Sequence, residues 1–134
     1  MHILLTQLQS YNIMFKLLDS YSKKKHSDDI LGLLGDMCFL YDKSTADPAI
    51  WEDWIEITNN QKTLTKQEAF DSMIRFLEIY RDLTSSKDIK ILINKLQTAK
   101  NCNDTQIPIV KQWNTHLKEV LKEPEDSREY LQFT

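Results

Sequence analysis

The chain matches itself when shifted by 59 residues: Leu5, Thr6, Met14, Leu18, Tyr21, Ser27, Asp29, Ile30, Leu33, Ile50 and Trp54 fall on Leu64, Thr65, Met73, Leu77, Tyr80, Ser86, Asp88, Ile89, Leu92, Ile109 and Trp113. Average composition gives about three such identities by chance over a comparable length. Conservative pairs fill the intervals, among them Tyr11/Phe70, Lys16/Arg75, Asp19/Glu78 and Leu34/Ile93. The unit is therefore made twice, over about 1–60 and 61–122, with a tail at 123–134. Positions kept in both copies are expected to build the unit. Positions present in one copy are candidates for function.

The period within each copy is helical. Leu8, Tyr11, Met14, Phe15, Leu18 and Tyr21 recur at three- and four-residue steps, which predicts an amphipathic helix over about 4–25. Ser27 is a cap for a second helix, with Asp28 and Asp29 in its first turn and Ile30, Leu33, Leu34 and Met37 as its apolar stripe. Asp47 before Pro48 starts a third helix over about 48–58, with Ile50, Trp54 and Ile57 on one face. The second copy repeats the order. A capping box at Thr65–Glu68 opens a helix to about Leu83, and Ser86 caps the next. After a connection at 101–106, a last helix runs over about 107–122 until Pro124 ends it. Two glycines and three prolines in 134 residues agree with helices and argue against a sandwich or barrel.

The expected fold is all-α. It has six helices, or seven if the tail adds a turn, arranged as two tandem three-helix repeats. Those repeats pack into one bundle with pseudo-twofold symmetry or into a short α-solenoid, as one domain over 1–134. Only the final ten residues read as disordered. No apolar run is long enough to span a membrane, and no signal peptide is recognisable at the N-terminus. Cys38 and Cys102 lie outside the repeat and in no metal spacing, so both are read as reduced thiols of a cytoplasmic protein.

Charge separates the copies. The net charge is −3, yet the segment 26–59 carries Asp28, Asp29, Asp36, Asp42, Asp47, Glu52, Asp53 and Glu56 against Lys43 alone. At the equivalent places the second copy has Lys87 for Asp28, Lys95 for Asp36, Lys111 for Glu52, Gln112 for Asp53 and Thr115 for Glu56. Asp29 is kept as Asp88 and is assigned to the helix start. Direct nucleic-acid binding is disfavoured on such a segment, and a basic partner is the complementary expectation. Trp54, kept as Trp113, belongs to the core. Trp51 is not kept, and is either core or an interface anchor. Gly32 and Gly35 occur only in the first copy and either allow close helix approach or strain the second helix. No phosphate loop, nucleophile elbow or His-containing ligand set is present, so no catalytic residue, metal or cofactor is assigned.

The stretch SDDILGLLGDMCFL followed by DKSTADPAIWEDWIEI, residues 27–57, resembles small helical bacterial immunity proteins encoded beside polymorphic toxins, of the contact-dependent growth inhibition type. The resemblance implies a cytoplasmic inhibitor that binds a cognate toxin domain, commonly a nuclease such as a tRNA-cleaving ribonuclease. It supplies no catalytic residues. The charge pattern separately selects Asp28, Asp36, Asp42, Trp51, Glu52, Asp53 and Glu56 as the partner-binding set. The competing expectation is an adaptor that holds a peptide or helix in a groove with neutral rims between the repeats.

Overall fold

The computed structural model describes residues 3–102 and 106–128. Within them the order is β1 (Leu4–Thr6), α1 (Gln7–Lys25), α2 (Asp28–Met37), α3 (Pro48–Ile57), β2 (Thr63–Thr65), α4 (Lys66–Thr84), α5 (Lys87–Cys102) and α6 (Pro108–Lys122). The six helices agree with the sequence reading. The two strands do not: the helical pattern was extended back to residue 4, where the chain is a three-residue strand. A segment this short carries no periodicity that separates strand from helix.

The local chemistry of the two copies is the same. Thr6 and Thr65 are N-caps with identical backbone angles (φ −72°, ψ 166°), and each closes a reciprocal capping box, with Gln9 and Glu68 respectively. The backbone N–H of Thr65, with Gln61 beside it, holds the Glu68 carboxyl below the usual carboxylate range. Both 19-residue helices that follow end in a left-handed non-glycine cap, His26 at φ 53° and Ser85 at φ 54°.

The copies do not stack side by side; they interlock. Strand β1 pairs antiparallel with β2 in the register Leu4↔Thr65, Leu5↔Leu64, Thr6↔Thr63. Leu5 thus faces its own repeat counterpart, and both side chains are fully buried. At the far end of the long helices, Ser27 Oγ donates to Asp88 at 2.7 Å, while Ser86 Oγ donates to Asp29 at 2.6 Å. These two bonds are exchanged by the same pseudo-twofold. Asp29, assigned from sequence to the helix start, therefore has a second role as a tie between copies.

The third helix of each copy packs on the first helix of the other. Helix α6 lies along α1, where Lys16 pairs with Glu123 at 3.1 Å and His116 Nε2 lies 3.0 Å from Ser20 Oγ. Helix α3 lies along α4, where the Tyr80 hydroxyl donates to Asp53 at 3.3 Å. The bundle alternative is therefore the observed one, and the solenoid is not. One contiguous core contains Tyr11, Met14, Leu18, Leu34 and Trp54 of the first copy with Met73, Phe76, Leu77, Leu92 and Trp113 of the second.

The tail is ordered further than the sequence suggests. Asn12 Nδ2, buried on α1, donates to the Ser127 carbonyl at 2.7 Å, and the Arg128 guanidinium lies 5.5 Å from the centre of the Phe39 ring. Residues 125–128 of the segment read as disordered are thereby tied to the core. The rest of that segment, and 103–105 of the α5–α6 connection, lie outside the described residues.

The crossed serines carry two jobs each. Ser27 Oγ also accepts from the Ile30 N–H, and Ser86 Oγ from the Ile89 N–H. Either Ser27→Ala or Ser86→Ala is expected to cost about 1–2 kcal/mol from the lost cap and the lost bond to a carboxylate. Urea unfolding of the two single variants should give similar losses. A difference of several-fold between them would show that the two ties are not equivalent.

Candidate functional site

Acidic residues of the first copy come together from three directions. The end of α2 brings Asp36, the start of α3 brings Asp47, and the next turn of α3 brings Asp53. The Asp47 N–H donates to the Asp36 carbonyl at 3.0 Å, which fixes the two backbones against each other. Asp47 is the N-cap of α3, its carboxylate accepting from the Ala49 N–H at 3.0 Å, with Pro48 at the first helical position. Facing them from α4 is Tyr80. Burial pushes its phenol well above the ordinary range, and the negative charges of Asp53, Asp47 and Asp36 push it further. A neutral phenol that donates to Asp53 is the stable arrangement there.

The remaining acids extend this surface unequally. Glu52 and Glu56 are exposed on α3, one helical turn apart. Glu56 and Asp53 line a small depression together with Arg75. Asp42 is fully exposed on the α2–α3 connection, and hydrogen bonds from the Ser44 hydroxyl and N–H hold its carboxyl below its usual value. Asp28 does not join the group. It sits at the opposite end of α2 from Asp36, eight residues or about 12 Å away along the axis. Five of the six predicted acids therefore belong to the α2 end, the connection and α3, and one does not.

Trp51 is half-buried. Its ring meets Tyr11 edge-on at 5.2 Å and Phe39 at 6.0 Å, and Tyr11 in turn meets Trp54 at 6.0 Å. The Tyr11 hydroxyl is buried and donates to the Met37 carbonyl at 2.6 Å, so this aromatic group also fixes the end of α2. Trp51 thus supports the acidic surface from beneath.

Three residues of the site escaped the sequence reading. Asp47 counts in the acidic segment and as a helix cap but is not in the partner-binding set. Tyr80, kept as Tyr21, was assigned to the unit. Tyr41 carries no sequence signal, although it is the most exposed large hydrophobic side chain described, at 104% of its reference area. It rides on a tight turn in which Leu40 N–H donates to the Ser44 carbonyl at 2.8 Å and Lys43 N–H to the Leu40 carbonyl at 2.9 Å, with Lys43 left-handed at φ 70°. Buried Phe39 and Thr45 pair across the base of this turn. The available signal was the connection itself: copy one leaves the helix at Cys38, whereas copy two stays helical to Cys102.

Gly32 and Gly35 serve neither of their expected purposes. A Cβ built on either meets no atom within 4 Å, and neither has positive φ. They leave bare backbone on the outer side of α2. Among the described residues, no group of three or more His, Cys, Asp or Glu side chains is placed to hold a metal ion. Cys38 and Cys102 are free thiols. No family model, curated protein or solved structure matches the chain.

Two measurements test this description. Gly32→Ala and Gly35→Ala should each stabilise the protein by about 0.5–1 kcal/mol, read as a raised Tm, because alanine meets nothing and is the better helix former. A loss of stability would reveal a close approach that the geometry lacks. The raised phenols of Tyr80 and Tyr11 also set an alkaline limit. Below about pH 10 folded and unfolded chains both keep these protons. Above it the unfolded chain releases them first, so stability falls as pH rises. Tyr80→Phe should flatten that decline between pH 10 and 11 in urea titrations, and an unchanged slope would mean that Tyr80 ionises normally.

Proposed function

We propose that this protein is an immunity protein that neutralises a basic toxin domain by covering it with the acidic surface of the first repeat. The observation that carries this reading is the meeting of Asp36, Asp47 and Asp53, from two helices, around one neutral tyrosine, with Glu52, Glu56 and Asp42 beside them. A nuclease active site is built for phosphates and is basic. A fixed set of carboxylates is its complement and speeds association by electrostatic steering. The exposed backbone at Gly32 and Gly35 lets a partner approach α2 closely, and Tyr41 on its turn offers an aromatic anchor of the kind that dominates interface energies.

In this reading the inhibitor acts in the cytoplasm, has no catalytic residue of its own and uses no cofactor. It touches neither nucleic acid nor membrane, and among the described residues no helix is long and apolar enough to cross a membrane. The toxin is a nuclease, for which a tRNA-cleaving ribonuclease is the leading example. The adaptor reading is weaker on one specific point. The groove between the repeats, formed by α1, α5 and α6, is rimmed by lysines and is not neutral.

The test is retention of one stoichiometric basic partner by the tagged protein, together with expression of the gene immediately upstream. A product that is toxic alone and silent on co-expression is the expected result. With that pair in hand, Asp36→Lys, Glu52→Lys and Asp53→Lys combined should slow association at least tenfold at low salt and flatten its dependence on ionic strength. Gly35→Leu should raise the off-rate while leaving the fold intact. An unchanged on-rate in the triple variant would remove the acidic surface from the interface.

A further inference from the structure

The pseudo-twofold carries the acidic site onto a second place in the molecule. Tyr80 corresponds to Tyr21, Asp36 to Lys95, and Asp53 to Gln112. Around Tyr21 lies a groove of about 600 Å³, between the end of α1, the outer side of α5 and the start of α6. This volume is within the range of small-molecule sites. Its floor is apolar, formed by the Tyr21 ring, Ile91, Ala99 and Ile109. Ile91 is 49% exposed, an apolar side chain left uncovered at the groove wall.

The rim has the opposite sign to the acidic site. Lys24 and Lys25 come from the last turn of α1, and Lys95 from α5. Lys95 Nζ stands 5.2 Å from the centre of the Tyr21 ring, so its charge is held over the floor. No described residue lining the groove carries a carboxylate. Asp88 borders the smaller adjoining hollow, where it already accepts the Ser27 hydroxyl. Three lysines line an apolar floor in a chain whose net charge is −3. Burying hydrocarbon against that floor is favourable in proportion to its area, and the rim selects the sign of the head that stays at the surface.

We infer that the groove between α1, α5 and α6 binds a small anionic amphiphile, a hydrocarbon chain or ring lying on Tyr21, Ile91, Ala99 and Ile109 with a carboxylate or similar anionic head held by Lys24, Lys25 and Lys95. The groove shares no residue with the acidic surface. This binding is therefore independent of the immunity reading.

Dodecanoate, kept below its micelle concentration, is the probe. Calorimetric titration of the full chain should give saturable one-to-one binding, with amide shifts at Ile91, Ala99 and Ile109. Dodecyltrimethylammonium, with the same tail and the opposite charge, should bind at least tenfold more weakly. Lys24→Gln, Lys25→Gln and Lys95→Gln combined should weaken dodecanoate at least tenfold, and Ile91→Asp should abolish it. All four positions are exposed, so circular dichroism and Tm should stay near those of the parent. Asp36→Asn should leave binding unchanged. The inference is overturned by absence of saturable binding, by equal affinity for the cationic amphiphile, or by full affinity in the folded lysine variant. It is likewise overturned if only anionic vesicles or an acidic peptide bind, since either would make this face a docking surface rather than a ligand site.

Discussion

Two crossed hydrogen bonds and one leucine pair hold the rest of this structure in place. Ser27 reaches Asp88 and Ser86 reaches Asp29, while Leu5 packs against Leu64 at the other end of the long helices. Each contact maps onto itself or its twin when the copies are exchanged. These contacts pin the two copies to each other at both ends of α1 and α4. Every other helix is then placed by the apolar stripe it must bury. Each third helix packs on the first helix of the opposite copy and on the second helix of its own. The carboxylates in these ties each accept a hydroxyl proton close to solvent, so the bonds gain from charge without the penalty of a buried ion.

Symmetry of the frame makes the asymmetry of the surface readable. The same tyrosine position faces three carboxylates in one copy and an ammonium group in the other. Burial raises both phenols; around Tyr80 the neighbouring carboxylates add to the rise, whereas around Tyr21 Lys25 works against it and Asp88 adds to it. On the flanks of the long helices the copies also differ in polarity. The Ser20–His116 contact between α1 and α6 corresponds to Ile79 and Ile57 between α4 and α3. The frame tolerates such exchanges because they lie on the flanks and not on the pinned ends.

The helices were legible because each is announced chemically: threonine and serine caps, Asp47-Pro48, and apolar residues at three- and four-residue steps. The strands were not, because three residues cannot display a period. The interlocking was not legible either. A repeat reveals that a unit occurs twice, but the pairing of α3 with α4, and α6 with α1, depends on long-range packing. The site shows the same division. Its charge was visible in the segment 26–59, and the equivalents in the second copy singled out Asp36 and Asp53. The convergence on Tyr80 was hidden, because a residue kept in both copies was taken as structural. Asp28 was included because charge alone does not distinguish the two ends of a helix. Tyr41 was missed because an exposed aromatic in a loop has no pattern to betray it.

The crossed arrangement also bears on how the chain acquires its shape. The two strands that pair are about sixty residues apart in sequence, and Ser20 and His116, which meet between α1 and α6, are 96 apart. Contacts of such separation must close large loops before they contribute, which slows folding relative to a bundle of local hairpins. On the ribosome the first sixty residues emerge with the flank of α1 uncovered and with Leu5, Ser27 and Asp29 lacking their partners. They have the elements of a unit but no opposite half to close it. The first copy therefore gains its full packing only with the second, whose α6 covers the flank of α1.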